Sequence, residues 1–135
     1  MSKAPGIGKR RTSQREAILA VITAGAGPLS VEQIHERALP TCTSLGIATV
    51  YRAVKLLVES KQIMAVLLPD GQTRYEPSDR DHHHHFRCLD CEEVYDLPGC
   101  ILGIPNGSSL PGGFEVTAHE VTLMGTCPDC GKQGS

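Results

Sequence analysis

Tryptophan is absent from this 135-residue chain, and there are only two phenylalanines and three tyrosines. A large aromatic core is therefore unavailable, and a small lobe would gain from a metal that holds it together. No stretch approaches the roughly 18 consecutive apolar residues of a spanning helix, so no membrane crossing is expected. The stretch from Met1 to Arg15 is basic and has no apolar segment, so a secretory signal is not expected either. A reducing, cytoplasmic compartment follows as the expectation. Also missing are a His-Glu-x-x-His, a Gly-x-Ser-x-Gly and a phosphate-binding glycine loop. Their absence argues against catalysis. A zinc-dependent hydrolase, with histidine ligands and Glu76 or Asp96 as base, is the alternative from another class.

What the chain does hold is paired cysteine. Cys88-Leu89-Asp90-Cys91 and Cys127-Pro128-Asp129-Cys130 stand 35 residues apart. Each pair places two thiols on one tight turn, and two turns supply the four sulfurs of a closed tetrahedral structural Zn²⁺ site. Disulfides or a redox dithiol are the other reading, which a reducing compartment disfavours. Cys42 and Cys100 have no partner in sequence and read as small half-buried side chains.

Ahead of the first pair runs His82-His83-His84-His85. Side chains alternate along a strand, so His83 and His85 face one way, His82 and His84 the other. Two further ligand sets follow: Glu76, His83, His85 and Asp96, and separately His82, His84 and His119. Mixed imidazole and carboxylate ligation suits Fe²⁺, Mn²⁺ or Zn²⁺ at an exchangeable, regulatory site.

Charge divides the chain. Residues 1–61 hold nine Lys/Arg against four Asp/Glu, a balance of +5, and residues 62–135 hold four against eleven, a balance of −7. The basic half suits a polyanion. It also reads as short helices. Ser13 to Glu16 and Ser30 to Gln33 are capping-box patterns, with Ser13 and Ser30 as the N-caps. Ile18, Val21 and Ile22 share one face, and Val31, Ile34 and Ala38 another. Ile47, Val50, Tyr51, Val54, Leu57 and Val58 form a continuous apolar stripe, with Thr49 and Arg52 pointing away from it. Gln62 to Leu68, Asp70-Gly71 and Thr73 to Tyr75 read as a β-hairpin. Three helices and a hairpin make a winged helix-turn-helix, whose recognition helix is the segment near Gly46 to Ser60. In the second half, Phe86 to Cys88, Glu93 to Leu97, Phe114 to Thr117 and Glu120 to Met124 read as strands. The Gly- and Pro-rich stretch from Pro98 to Gly113 argues against a long helix.

Taken together, Arg11-Thr12-Ser13-Gln14-Arg15, Gly46-Ile47-Ala48-Thr49-Val50-Tyr51-Arg52, Arg74-Tyr75-Glu76, the run from Asp81 to Cys91, His119, and Gly125 to Cys130 resemble the ferric uptake regulator family of metal-dependent repressors. The resemblance spans roughly residues 9–131. It implies an α+β chain, with a winged-helix DNA-binding domain over 1–77 and a small α/β zinc-stabilised dimerisation domain over 78–135. It implies a homodimer on double-stranded operator DNA, contacted by Arg15, Tyr51 and Arg52, to which the basic start and the polar helix face add Arg11 and Thr49. It places structural Zn²⁺ on Cys88, Cys91, Cys127 and Cys130, a regulatory metal on Glu76, His83, His85 and Asp96, and a secondary site on His82, His84 and His119.

The chain departs from the family pattern twice. A histidine that many relatives carry before the second helix falls near Pro28, with His35 as a stand-in. A helix after Asp96 is replaced by Gly99 to Gly107, and the acidic ligand it contributes in relatives is missing with it, leaving Cys100 as a candidate replacement. Iron sensing fits the Glu76, histidine and Asp96 set, peroxide sensing fits Asp96, and zinc uptake control fits the four-histidine tract. Iron or peroxide sensing is placed slightly ahead of zinc.

Overall fold

The structure, a computed structural model, describes residues 7–133, with side chains over 12–132. It divides into two compact units, the first ending at Asp79 and the second starting at Arg80. Among the described residues no helix is long and apolar enough to cross a membrane.

The first unit runs α1 (Ile7–Ala24), α2 (Val31–Ala38), α3 (Ile47–Glu59), β1 (Ile63–Leu67) and β2 (Thr73–Pro77). Its core is aliphatic. Ile18 and Ile22 of α1, Val31, Ile34 and Ala38 of α2, and Val50, Val54 and Leu57 of α3 are buried around Leu29, Leu45 and Ile63. Burying each large aliphatic side chain contributes about 1.5–3 kcal/mol. The α2 capping box forms as expected: the Gln33 amide N–H donates to Ser30 Oγ, and Ser30 N–H donates to Gln33 Oε1.

The Ser13 cap does not form. α1 starts at Ile7, so Ser13 sits exposed inside the helix. Lys9, Arg10 and Arg11 are good helix formers with no breaker after them, so the helix extends through a residue that would otherwise start it. The α3 stripe is also narrower than its periodicity suggests. Ile47 and Tyr51 are 40% and 52% exposed, and Ala53 takes a core position instead. An apolar stripe wider than the face α2 can cover leaves its margin in solvent.

β1 and β2 pair antiparallel in the register Ile63↔Pro77 to Leu67↔Thr73. The turn between them is held by Asp70 Oδ1, which accepts the Gln72 N–H. Tyr75 also bonds both ways with Leu29 (2.8 and 2.9 Å), tying the hairpin to the segment before α2. The buried Arg74 donates through Nη1 to Gln33 Oε1 at 3.1 Å.

The second unit is a three-stranded sheet in the order β4 (Val94–Pro98), β3 (His83–Cys88), β7 (Thr122–Gly125), followed by α4 (Pro128–Gln133). β3 is antiparallel to β4 and parallel to β7. A separate small hairpin joins β5 (Ser109–Leu110) to β6 (Phe114–Glu115). No helix forms between β4 and β5. The strand expected from Phe86 starts three residues earlier, at His83, because the histidine run pairs with Leu97 and Pro98. The strand expected over Phe114 to Thr117 stops at Glu115, because its partner β5 is only two residues long.

Candidate metal centres and nucleic-acid face

The parallel register of β3 on β7 sets Cys88 beside Gly125, two residues before Cys127. A Cβ at Gly125 would stand 3.2 Å from the Phe86 ring, a tight contact that favours glycine there. The first cysteine turn is closed by Glu92, whose N–H donates to the Cys88 carbonyl and whose φ of 63° lies in the left-handed region. The second turn opens α4, which carries Cys130. The two turns bring Cys88, Cys91, Cys127 and Cys130 to one point, with all four sulfurs within 4.8 Å of one another. Cys91 Sγ and Cys127 Sγ are 3.9 Å apart. An ion with tetrahedral bonds of about 2.3 Å sets its sulfurs roughly 3.8 Å apart, so the arrangement fits one. The backbone amides of Cys91 and Cys127, aimed at Cys88, hold its thiol down at about 6. The Cys127 N–H donates to that sulfur at 3.3 Å. The fit is to a closed all-sulfur set without an open position.

The alternation expected along the histidine run is present, and the two sides differ chemically. On one side, His83 Nε2 and His85 Nε2 lie 3.7 and 3.6 Å from Asp96 Oδ1. The β3–β4 register explains this, because His85 sits directly opposite Asp96. His83 Nδ1–H donates to the Asp81 carbonyl at 2.7 Å, which orients the ring with Nε2 toward Asp96. Arg80 binds the other carboxylate oxygen of Asp96. Glu76 lies on β2 of the first unit with its side chain buried.

On the other side, His82, His84 and His119 come together with a fourth residue, Cys100, their ligand atoms all within 4.8 Å of one another. His84 is buried, at 2% exposure. The Cys100 thiol is drawn down to about 5, first by His84, against a smaller opposing effect of burial, with His82, the Ile104 amide and His119 adding to it. The expectation of a small half-buried cysteine therefore understates Cys100. Its other reading from sequence, as a replacement for the missing acidic ligand, is the one this grouping supports. Cys42, in contrast, is half-buried against the aliphatic core of the first unit, as expected. His35 is committed within that unit, where its Nε2 donates to the Leu45 carbonyl at 2.7 Å.

In the first unit, Arg15 of α1 and Thr49 and Arg52 of α3 line one groove with Gln14, Ala53 and Leu56. Arg52 Nη2 donates to Thr49 Oγ1 at 3.2 Å. Tyr51 is turned outward, and its hydroxyl donates to Glu32 of α2 at 3.2 Å. That carboxylate holds the Tyr51 phenol above its ordinary range, so it stays a neutral donor. The side chain of Arg11 lies outside the described residues. Sequence reasoning misses Gln14, Glu32 and Arg80, whose roles depend on neighbours from other elements.

Comparison with known proteins follows the same lines. The sequence profile of the ferric uptake regulator family matches residues 6–124. The ferric uptake regulation protein of Campylobacter upsaliensis is 31% identical over 129 residues, 91% of this chain and 81% of that protein. That of Bacillus subtilis is 30% identical over 128 residues, 90% and 86% of the two chains. A zinc-bound manganese uptake regulator superposes with a TM-score of 0.74 at 26% identity, covering 88% of this chain and 94% of that one. On these matches the chain belongs to the ferric uptake regulator family, a metal-responsive transcription regulator and not an enzyme.

Proposed function

We propose that the chain is a cytoplasmic, homodimeric repressor that binds double-stranded operator DNA when a regulatory divalent metal is bound, in control of iron-handling or peroxide-response genes. The observation that carries the reading is the donor chemistry of β3. One face presents imidazoles with Asp96 and no sulfur, which suits Fe²⁺ or Mn²⁺, while the four cysteines form a separate closed set suited to structural Zn²⁺. Glu76, placed just before the boundary between the units, would complete the regulatory set with His83, His85 and Asp96. His82, His84 and His119 would hold a second exchangeable ion.

The domain assignment we propose is a winged-helix unit over 1–77 and a metal-binding dimerisation unit over 78–135. The winged unit reads DNA through the start of α3: Thr49, Tyr51 and Arg52 enter a major groove, and Arg11 and Arg15 pair with backbone phosphates. Arg15, Thr49 and Arg52 share a groove, which supports a joint contact. Dimerisation through the second unit is supported by the exposed Leu110, Phe114, Leu123 and Met124, on the small hairpin and on the edge strand β7. When bound, the regulatory cation supplies a fixed positive charge that links ligands on either side of the unit boundary. Glu76 on one side and His83, His85 and Asp96 on the other then favour the separation of the two winged units that fits successive major grooves, about 34 Å apart. That preference acts through a difference in metal affinity between the two arrangements.

A gel shift on the DNA upstream of the chain's own gene tests this, with free Fe²⁺, Mn²⁺ and Zn²⁺ buffered separately under anaerobic conditions. Retardation with Fe²⁺ or Mn²⁺ is expected. Loss of the Fe²⁺ complex on adding peroxide assigns peroxide sensing, and its survival assigns iron regulation. Retardation only at very low free Zn²⁺ overturns the iron reading in favour of zinc uptake control.

A further inference from the structure

We infer that Cys100 is the fourth ligand of the site formed by His82, His84 and His119, which makes it a sulfur-bearing Cys-His₃ centre for zinc rather than an all-imidazole one. The inference deepens the second-site reading above and rests on it.

The distances support it directly. His82 Nε2 to His84 Nε2 is 3.2 Å, His84 Nε2 to Cys100 Sγ is 3.4 Å, and Cys100 Sγ to His119 Nε2 is 3.2 Å. A tetrahedral zinc ion with Zn–N of about 2.0–2.1 Å and Zn–S of about 2.3 Å sets neighbouring nitrogens roughly 3.3 Å apart and nitrogen and sulfur roughly 3.5 Å apart. The three measured edges are thus close to those of one ligand tetrahedron.

The chain brings these atoms together from three separate segments. His82 and His84 come from β3 and the residue before it, and His119 from the connection entering β7. Cys100 follows Gly99, whose φ of +75° is a conformation an L-residue adopts only with strain. That glycine reverses the chain at the end of β4 and returns the thiol to the face His84 occupies. Hydrogen bonds could link these atoms only two at a time. A cation satisfies all four at once.

The donor set also names the cation. A thiolate beside three imidazoles favours zinc over manganese or magnesium, which prefer oxygen. The opposite face of β3, with Asp96, lacks that preference. His82 is exposed, and a groove lined by His82, Cys100, Ile104, Pro105 and His119 leads to solvent, so the site can exchange its ion. One strand would then carry a softer zinc site on one face and a harder, oxygen-bearing site on the other.

The test uses the full chain with its structural zinc retained and the regulatory set disabled by His85→Ala. Zn²⁺ or Co²⁺ is titrated in, with the ions counted by native mass spectrometry. In the parent, the added Co²⁺ should show a sulfur-to-metal charge-transfer band in the near ultraviolet. Cys100→Ser should abolish that band and weaken Zn²⁺ binding by about 100-fold, at or above what loss of an outer-shell partner costs. The structural zinc count and the circular dichroism of the same sample report folding. If Cys100→Ser keeps band and affinity while His119→Ala loses the ion, the cysteine assignment falls and the three-histidine reading stands. If the parent takes up no ion beyond its structural zinc, both fall.

Discussion

The sulfur of Cys91 lies 3.9 Å from that of Cys127, although 36 positions of sequence separate them. The two are brought together by the parallel pairing of β3 with β7, and neither cysteine turn has a partner without it. The second unit has a modest apolar core: among the described residues, Cys88, Val94 and Cys127 are its buried hydrophobics. Zinc ligation by the four cysteines is therefore expected to be coupled to folding there.

Cys88→Ser should accordingly lose one equivalent of zinc, unfold the second unit and abolish the dimer. Whole domains are stable by only about 5–15 kcal/mol, so loss of a metal-coupled core is not tolerated. Zinc content and size-exclusion chromatography check this. A zinc-free variant that stays dimeric and folded contradicts a structural role for the four cysteines.

The regulatory set should behave differently. His83→Ala and His85→Ala are expected to keep the structural zinc and the dimer yet lose metal-stimulated DNA binding. The expected loss is roughly 5- to 150-fold in affinity, the range of a coupling free energy of about 1–3 kcal/mol. Fluorescence anisotropy on operator DNA at buffered free metal measures it, and a normal metal response in both variants refutes the assignment.

Arg15 and Arg52 line the same groove but are expected to read different parts of the duplex. Arg15→Ala should weaken binding to all sequences alike and reduce the slope of log K against log salt by about 0.9, one phosphate contact. Arg52→Ala should cost about 1–3 kcal/mol and relax preference at one base position. Binding isotherms over a salt series on specific and random duplexes separate the two.

In the first unit, Ile34 is fully buried and Ile47 is 40% exposed, although both fall on apolar helical faces. Ile34→Ala should cost about 2–5 kcal/mol in denaturant unfolding. Ile47→Ala should stay within about 0.5 kcal/mol, as surface changes do.

The buried Arg74 on the hairpin donates to the Gln33 oxygen that also caps α2. Arg74→Ala should destabilise the first unit by on the order of 2 kcal/mol, because buried polar partners lose a hydrogen bond they cannot replace. Thermal unfolding followed by circular dichroism reads the shift, and an unchanged midpoint shows that the bond contributes nothing net.

Features written at short range are legible in the amino-acid sequence alone. The Ser30 to Gln33 capping box, the Asp70-Gly71 turn, the two cysteine turns and the two-faced histidine run each depend on residues two to four positions apart. Over such spans, backbone geometry leaves few alternatives. The same local logic fails at Ser13, where a capping pattern inside a run of helix formers carries no boundary. It fails again at Ile47 and Tyr51, where periodicity defines a stripe but not how much of it a neighbour covers.

The sequence by itself therefore determined the local devices and the chemical kinds of donor: four thiols in pairs, imidazoles alternating along a strand, and a basic helix face. Tertiary structure decided the partnerships. The β3–β7 register joined cysteines 36 positions apart, the β3–β4 register set Asp96 against His85, and the reversal at Gly99 delivered Cys100 to His84. Those pairings depend on strand register and on which surfaces win the competition for burial. Both are collective properties of the packed chain, with no signature in any short window of sequence.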